Sequence, residues 1–170
     1  MTSIIKVDQI QNSSGTSGLS IDSNGVVTKS VVPAWRVSLT SDNLRTSTSQ
    51  ETIPFDKTTV ENCFLNGGVT ISSGVITVPV SGIYQINANI RVDAVGTGYV
   101  VANIIVNDQT ADSHDTYMLE GSPPSNYTTI HGVDIYKLQA NDTIKVAAVT
   151  SADTSWDVQK NSTFSGTMIG

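Results

Sequence analysis

From Val80 to Ala94 the chain reads VSGIYQINANIRVDA. Tyr84, Ile86, Ala88, Ile90 and Val92 alternate with Gln85, Asn87, Asn89, Arg91 and Asp93. A period of two sends the two sets to opposite faces of an extended strand. A helix would call for apolar residues three and four apart on one stripe, and here the period of two persists through the run. The stretch is therefore a half-buried strand of an antiparallel sheet, dry on one side and carrying amides and only two charges on the other. Such a strand needs a second apolar layer to lie on, and its wet face carries no evident reactive chemistry.

The rest of the composition agrees. Only 14% of the 170 residues are charged, while Ser, Thr, Asn and Gly are abundant, as in an all-β chain with many turns. A net charge of -6 with nine basic residues offers no basic stripe to neutralise phosphates, which argues against a nucleic-acid partner. An acidic membrane surface would repel the chain, and no run of about 18 apolar residues occurs. With one cysteine, Cys63, there is no intrachain disulfide, and a buried thiol is expected. The opening MTSIIKVDQI has no basic region followed by a long apolar core, so no secretion signal is expected. Without export, the Asn-x-Ser/Thr triplets at Asn12, Asn126, Asn141 and Asn161 are expected to stay unmodified.

Two regions follow from the pattern: an N-terminal extended arm, residues 1–30, and a domain, residues 31–170. In the arm, IIKVDQI reads as a strand and LSIDSNGVVTKS as a hairpin turning at Asn24 and Gly25. The arm has too few apolar residues to offset the entropy of ordering, so a partner is expected to order it. Fully extended, about 28 residues reach at most roughly 90 Å. Its docking groups are Ile4, Ile5, Val7, Ile10, Leu19 and Ile21.

Beyond Pro33, AWRVSLT alternates with Trp35, Val37 and Leu39 on one face. Pro54 confines TIPFDKTTVENC to a sheet edge or a strand start. GGVTISSGVITVPV reads as a hairpin about Ser72, Ser73 and Gly74. The run Val100 to Val106 in YVVANIIVNDQ is apolar on both faces, so either the other sheet of a sandwich or a neighbouring subunit covers its second side. After the long loop ADSHDTYMLEGSPPSNY, the segments TTIHGVDIYKL, DTIKVAAVT and STFSGTMI complete about eight to ten strands, spaced as in a jelly-roll β-sandwich.

The series PAWRVSL, IPFDKTTVEN, GVITVPVSGIYQINANI, HGVDIYKLQANDTIKVAA and STFSGTMI resembles, in order and spacing, the C1q-like (TNF-like) jelly-roll domain over about residues 33–170. The family's phrases are an early aromatic strand, "G.FTVPVSGIY", "L..GD.V.V" and a closing "FSG". In place of the family's collagen-like stalk stands MTSIIKVDQIQNSSGTSGLSIDSNGVVT, which resembles the opening of tail-fibre-like and other virion structural proteins of marine bacteriophages. The first resemblance implies a homotrimer of jelly rolls that recognises or assembles rather than catalyses. The second implies a virion assembled in the host cytoplasm. In the VPVSGIY phrase Gly82 is expected in a conformation that resists a Cβ, and in FSG Gly166 is expected to permit a close backbone approach.

Asp112, His114 and Asp115 are potential cation ligands, yet they lack the glycine and spacing of a calcium loop, and a solvated loop is the preferred reading. His131, beside Val133 and Ile135, is expected partly buried or at an interface. There is no GxSxG, HExxH, P-loop or CxxC, and no two carboxylates are paired by the sequence, so neither an enzyme nor a cofactor is expected. Trp156, in SADTSWDVQ, is the one aromatic expected exposed in a loop, where it would mark an intermolecular contact. The leading expectation is a homotrimeric capsid decoration or cement protein whose arm docks on the major capsid protein or other virion proteins. About 30 residues before the head, against the long shaft of a host-reaching fibre, favour it. The second is a short tail-fibre or adhesin tip that binds a host-surface glycan or protein through loops 107–127 and 150–162.

Overall fold

The computed structural model of this chain describes residues 7–15, 17–29, 31–93, 98–108, 116–120, 127–151 and 155–170, with the backbone alone at 17 and 116–120. It divides into two compact units, Met1–Val32 and Pro33–Gly170. In the first unit lie β1 (Gln9–Gln11), β2 (Ser17–Ile21) and β3 (Val27–Lys29), an antiparallel meander in the order β1-β2-β3. The expected hairpin is present, its turn running through Asp22, whose carboxylate accepts from the Asn24 and Val26 amides; of the expected strand IIKVDQI, residues 4–6 lie outside the described residues, Val7 and Asp8 are not in a strand, and only Gln9 and Ile10 fall in β1. The backbone is extended, yet the chain doubles back twice, so its reach is far shorter than a single ribbon's. None of the described side chains in the meander is buried.

The second unit contains β4 (Ala34–Ser38), β5 (Asn43–Arg45), β6 (Glu51–Thr52), β7 (Phe64–Asn66), β8 (Thr70–Ser72), β9 (Val75–Thr77), β10 (Gly82–Asp93), β11 (Val100–Val106), β12 (Thr116–Glu120), β13 (Tyr127–Leu138), β14 (Thr143–Thr150), β15 (Trp156–Val158) and β16 (Thr163–Met168). One sheet of seven strands runs β5-β15-β10-β16-β4-β7, with β13 on the other edge of β10. The second sheet, of six strands, runs β12-β11-β14-β9-β8, with β6 added to β14. The chain passes from one sheet to the other between β5 and β6, β6 and β7, β7 and β8, β9 and β10, β10 and β11, β12 and β13, β13 and β14, and β14 and β15. That repeated crossing makes the unit a jelly-roll sandwich, and no helix occurs among the described residues.

The core lies between the sheets. Tyr84, Ile86, Ala88, Ile90 and Val92 of β10 meet Trp35, Val37 and Phe164 from the same sheet and Ile76, Ala102, Ile104, Ile144 and Val146 from the other. Trp35 stacks edge-on against Phe164, their centroids 5.7 Å apart. Gly166 owes its identity to this ring: a Cβ there would stand 2.3 Å from Trp35 Cη2. The close approach is thus from an aromatic ring rather than from backbone. Gly82 also departs from expectation. It lies in regular strand, and the Gly170 carbonyl oxygen, 2.7 Å from where its Cβ would be, excludes a side chain.

The Ser72–Gly74 hairpin forms as read, with Ser73 and Gly74 both at positive φ (49° and 81°). Pro54 follows the two-residue edge strand β6, where no ladder bond is lost. Strand β11 is flanked by β12 and β14, and all but its last residue are buried within the single chain. A neighbouring subunit is therefore not needed to cover its second face. Cys63 is a free, buried thiol whose Sγ lies 3.3 Å from Ser38 Oγ.

Candidate functional site

Residues directly opposite in a ladder share a face, so the register of the seven-stranded sheet fixes what its outer surface displays. One row across the sheet is Phe64, Arg36, Ser165, Asn87 and Val133; the next is Asn66, Ala34, Thr167, Gln85 and Ile135. A third pairs Thr163, Asn89 and His131. The amides predicted to face water from β10 therefore form the middle of a broad field of amides and hydroxyls. Apolar side chains stand at its two ends. On β13, Val133 and Ile135 are 56% and 60% exposed, with Ile83 of β10 also exposed nearby. On β7, four strand spacings of about 4.8 Å or roughly 19 Å away, Phe64 is exposed. A shallow groove of about 250 Å³ lies beside it, lined by Ala34, Arg36, Phe64, Asn87, Ser165 and Thr167.

Among the described residues β13 pairs on one side only, with β10. Asp134 lies on the core-facing side of that strand yet is exposed. A charge placed so opposes further strand addition at the edge, which leaves the face rather than the edge available for association. His131 is exposed in the single chain, not partly buried. At one end of the same face Asp157 stands directly opposite Asp93 across β15 and β10. Burial first, then the neighbouring Asp42 and Asp93 carboxylates, raises the Asp157 carboxyl above its ordinary range.

Trp156 is corrected outright. It is 2% exposed and opens strand β15 instead of standing in a loop. Its Nε1 donates to the Ser47 carbonyl at 3.3 Å, and the Arg45 guanidinium lies over its ring at 5.4 Å. Arg45 is itself buried, donating to the Glu51 and Thr52 carbonyls at 3.0 and 2.9 Å. Desolvation pulls its guanidinium below the ordinary value, against the pull of Glu51 in the other direction. Pairing of Trp156 with Arg45, 111 positions earlier, buries the ring, and no local pattern announces it.

Of the proposed docking groups, Ile4 and Ile5 lie outside the described residues, as do Asp112, His114 and Asp115. Val7 and Ile10 are exposed; Leu19 and Ile21 are half-buried in the meander. Among the described residues no group of three or more His, Cys, Asp or Glu side chains is placed to hold a metal ion. Phe64 was not singled out by the sequence, because its orientation depends on pairing with Arg36.

No protein-family profile matches the chain, and no curated protein does. Two crystal structures of murine APRIL, at pH 5.0 and pH 8.0, match at 10% identity with TM-scores of 0.60 and 0.58. Each alignment covers 81% of this chain and 99% of the other. At that identity the likeness is one of fold, a TNF/C1q-like jelly roll.

Proposed function

We propose that this chain is a bacteriophage virion structural protein: a homotrimeric capsid decoration protein, anchored to the particle by its N-terminal unit, with the jelly-roll head outward. The observation that supports self-association is the pair of separate apolar patches at opposite ends of one sheet face. Two different patches favour a heterologous contact, in which the Val133 and Ile135 end of one copy meets the Phe64 groove of the next. Contacts of that kind close into a ring when the rotation permits, and the C1q-like resemblance implies three members. The virion assignment rests on the resemblance of the opening segment. Threefold symmetry suits local threefold positions on an icosahedral shell, where three anchors bind together more tightly than each alone. The broad amide field fits a wetted surface module rather than an enzyme.

The test is reconstitution. Purified protein is expected to rebind capsids stripped of it and, labelled, to leave host cells unstained. Staining of host cells without binding to capsids would replace the decoration reading with the adhesin one.

A further inference from the structure

The register of the N-terminal meander sorts the side chains on either side of its Ile10–Gln11 irregularity onto two faces. Ile10 stands opposite Leu19, and Leu19 opposite Lys29; Ile21 stands opposite Val27. These share one face. Gln9, Ser20 and Thr28 form a row on the other, where Ser20 Oγ and Thr28 Oγ1 share a hydrogen bond of 2.7 Å and Gln11 Nε2 donates to Gln9 Oε1 at 2.7 Å. The polar face is satisfied from within. The apolar face is not covered by the meander itself: Ile10 is 54% and Val27 58% exposed.

Size decides what can cover it. Three strands of three to five residues present a face of about 240 Å² at most, from strand spacings of about 4.8 Å and a rise of about 3.3 Å. A stable interface between free partners needs about 800 Å² on each side. The face holds only an occupant delivered at high local concentration. Four residues, 30–33, join β3 to β4, and a linker that short keeps neighbouring copies at about millimolar effective concentration once the heads associate. We propose that the apolar faces of three meanders pack on one another, Ile10, Leu19, Ile21 and Val27 forming a small shared core with Lys29, on the edge strand β3, reaching past it to water and the hydroxyl faces outward. The inference rests on the trimer reading. It makes the anchor one preassembled unit instead of three separate arms.

The test uses the full chain. Val27→Cys and Thr28→Cys place thiols at adjacent positions on opposite faces, and labelling by a maleimide is timed in solution, with the wild-type chain giving the background from Cys63. In a trimer confirmed by light scattering, Val27→Cys is expected to label at least about tenfold more slowly than Thr28→Cys. Adding Ile10→Asp is expected to abolish the difference. Equal rates in an intact trimer would overturn this inference and leave the trimer reading standing. Protection of Val27→Cys only on particles would overturn it too, by making a virion protein the occupant. Lone chains in light scattering would remove the trimer reading, and this inference with it.

Discussion

Replacing Ile135 by Ser separates association from folding. In the single chain Ile135 is 60% exposed, so losing it costs the isolated head little, within about 0.5 kcal/mol. In the proposed trimer the exposed part is covered. Full burial of an isoleucine side chain is worth about 1.5–3 kcal/mol, and the share still exposed in one chain leaves about 1–2 kcal/mol per copy to be gained. Three copies lose about 3–5 kcal/mol together, raising the trimer dissociation constant by about two to four orders of magnitude. Because three chains assemble, the midpoint concentration rises by about ten- to a hundredfold. Sedimentation equilibrium across nanomolar to micromolar concentrations reads this directly, and the urea midpoint of the dissociated chain is expected to stay put. Val60→Ser, exposed in the loop between β6 and β7 and outside the three rows of the face, is the control and is expected to leave the midpoint alone. An unchanged midpoint for Ile135→Ser would refute the assignment of this face, and a wild-type chain monomeric at micromolar concentration would refute the assembly itself.

Three further outcomes follow from the packing. Gly166→Ala drives a methyl into the Trp35 ring and is expected to destabilise the head by about 1–3 kcal/mol, seen as a lower urea midpoint. Trp156→Ala should cost about 3–5 kcal/mol of folding stability, because the ring is buried; a variant of unchanged stability that merely lost a partner would reinstate it as a contact residue. Asp157 has a raised carboxyl pKa in the fold, so its native environment favours the protonated form. That advantage is present below the ordinary value of 3.8 and is lost as pH rises through the raised one. Asp157→Asn is therefore expected to be more stable than wild type at pH 7, the gap closing as pH falls toward 3.8, by urea titration at each pH. A gap that widens in acid would reverse the argument.

Much of the candidate face is legible in the sequence. Alternation sends Gln85, Asn87 and Asn89 to the wet side of β10 and puts His131, Val133 and Ile135 on one strand. What joins them into a surface is register: Asn87 sits beside Val133 on one side and Ser165 on the other, and no spacing in the sequence states this. The groove beside Phe64 was invisible for the same reason.

By itself the sequence determined which side of β4 and of β10 is dry, since alternation is a local property set by two backbone dihedrals per residue and by the cost of leaving apolar groups in water. It also placed the hairpins, where Gly25, Ser73 and Gly74 meet the dihedral demands of tight turns. The tertiary structure alone decided what lies against what. It put Arg45 over Trp156, the Trp35 ring over Gly166, and cover within the chain over both faces of β11. Strand pairing joins residues far apart in the chain, and its free energy depends on the whole set of neighbours, which no window of sequence contains.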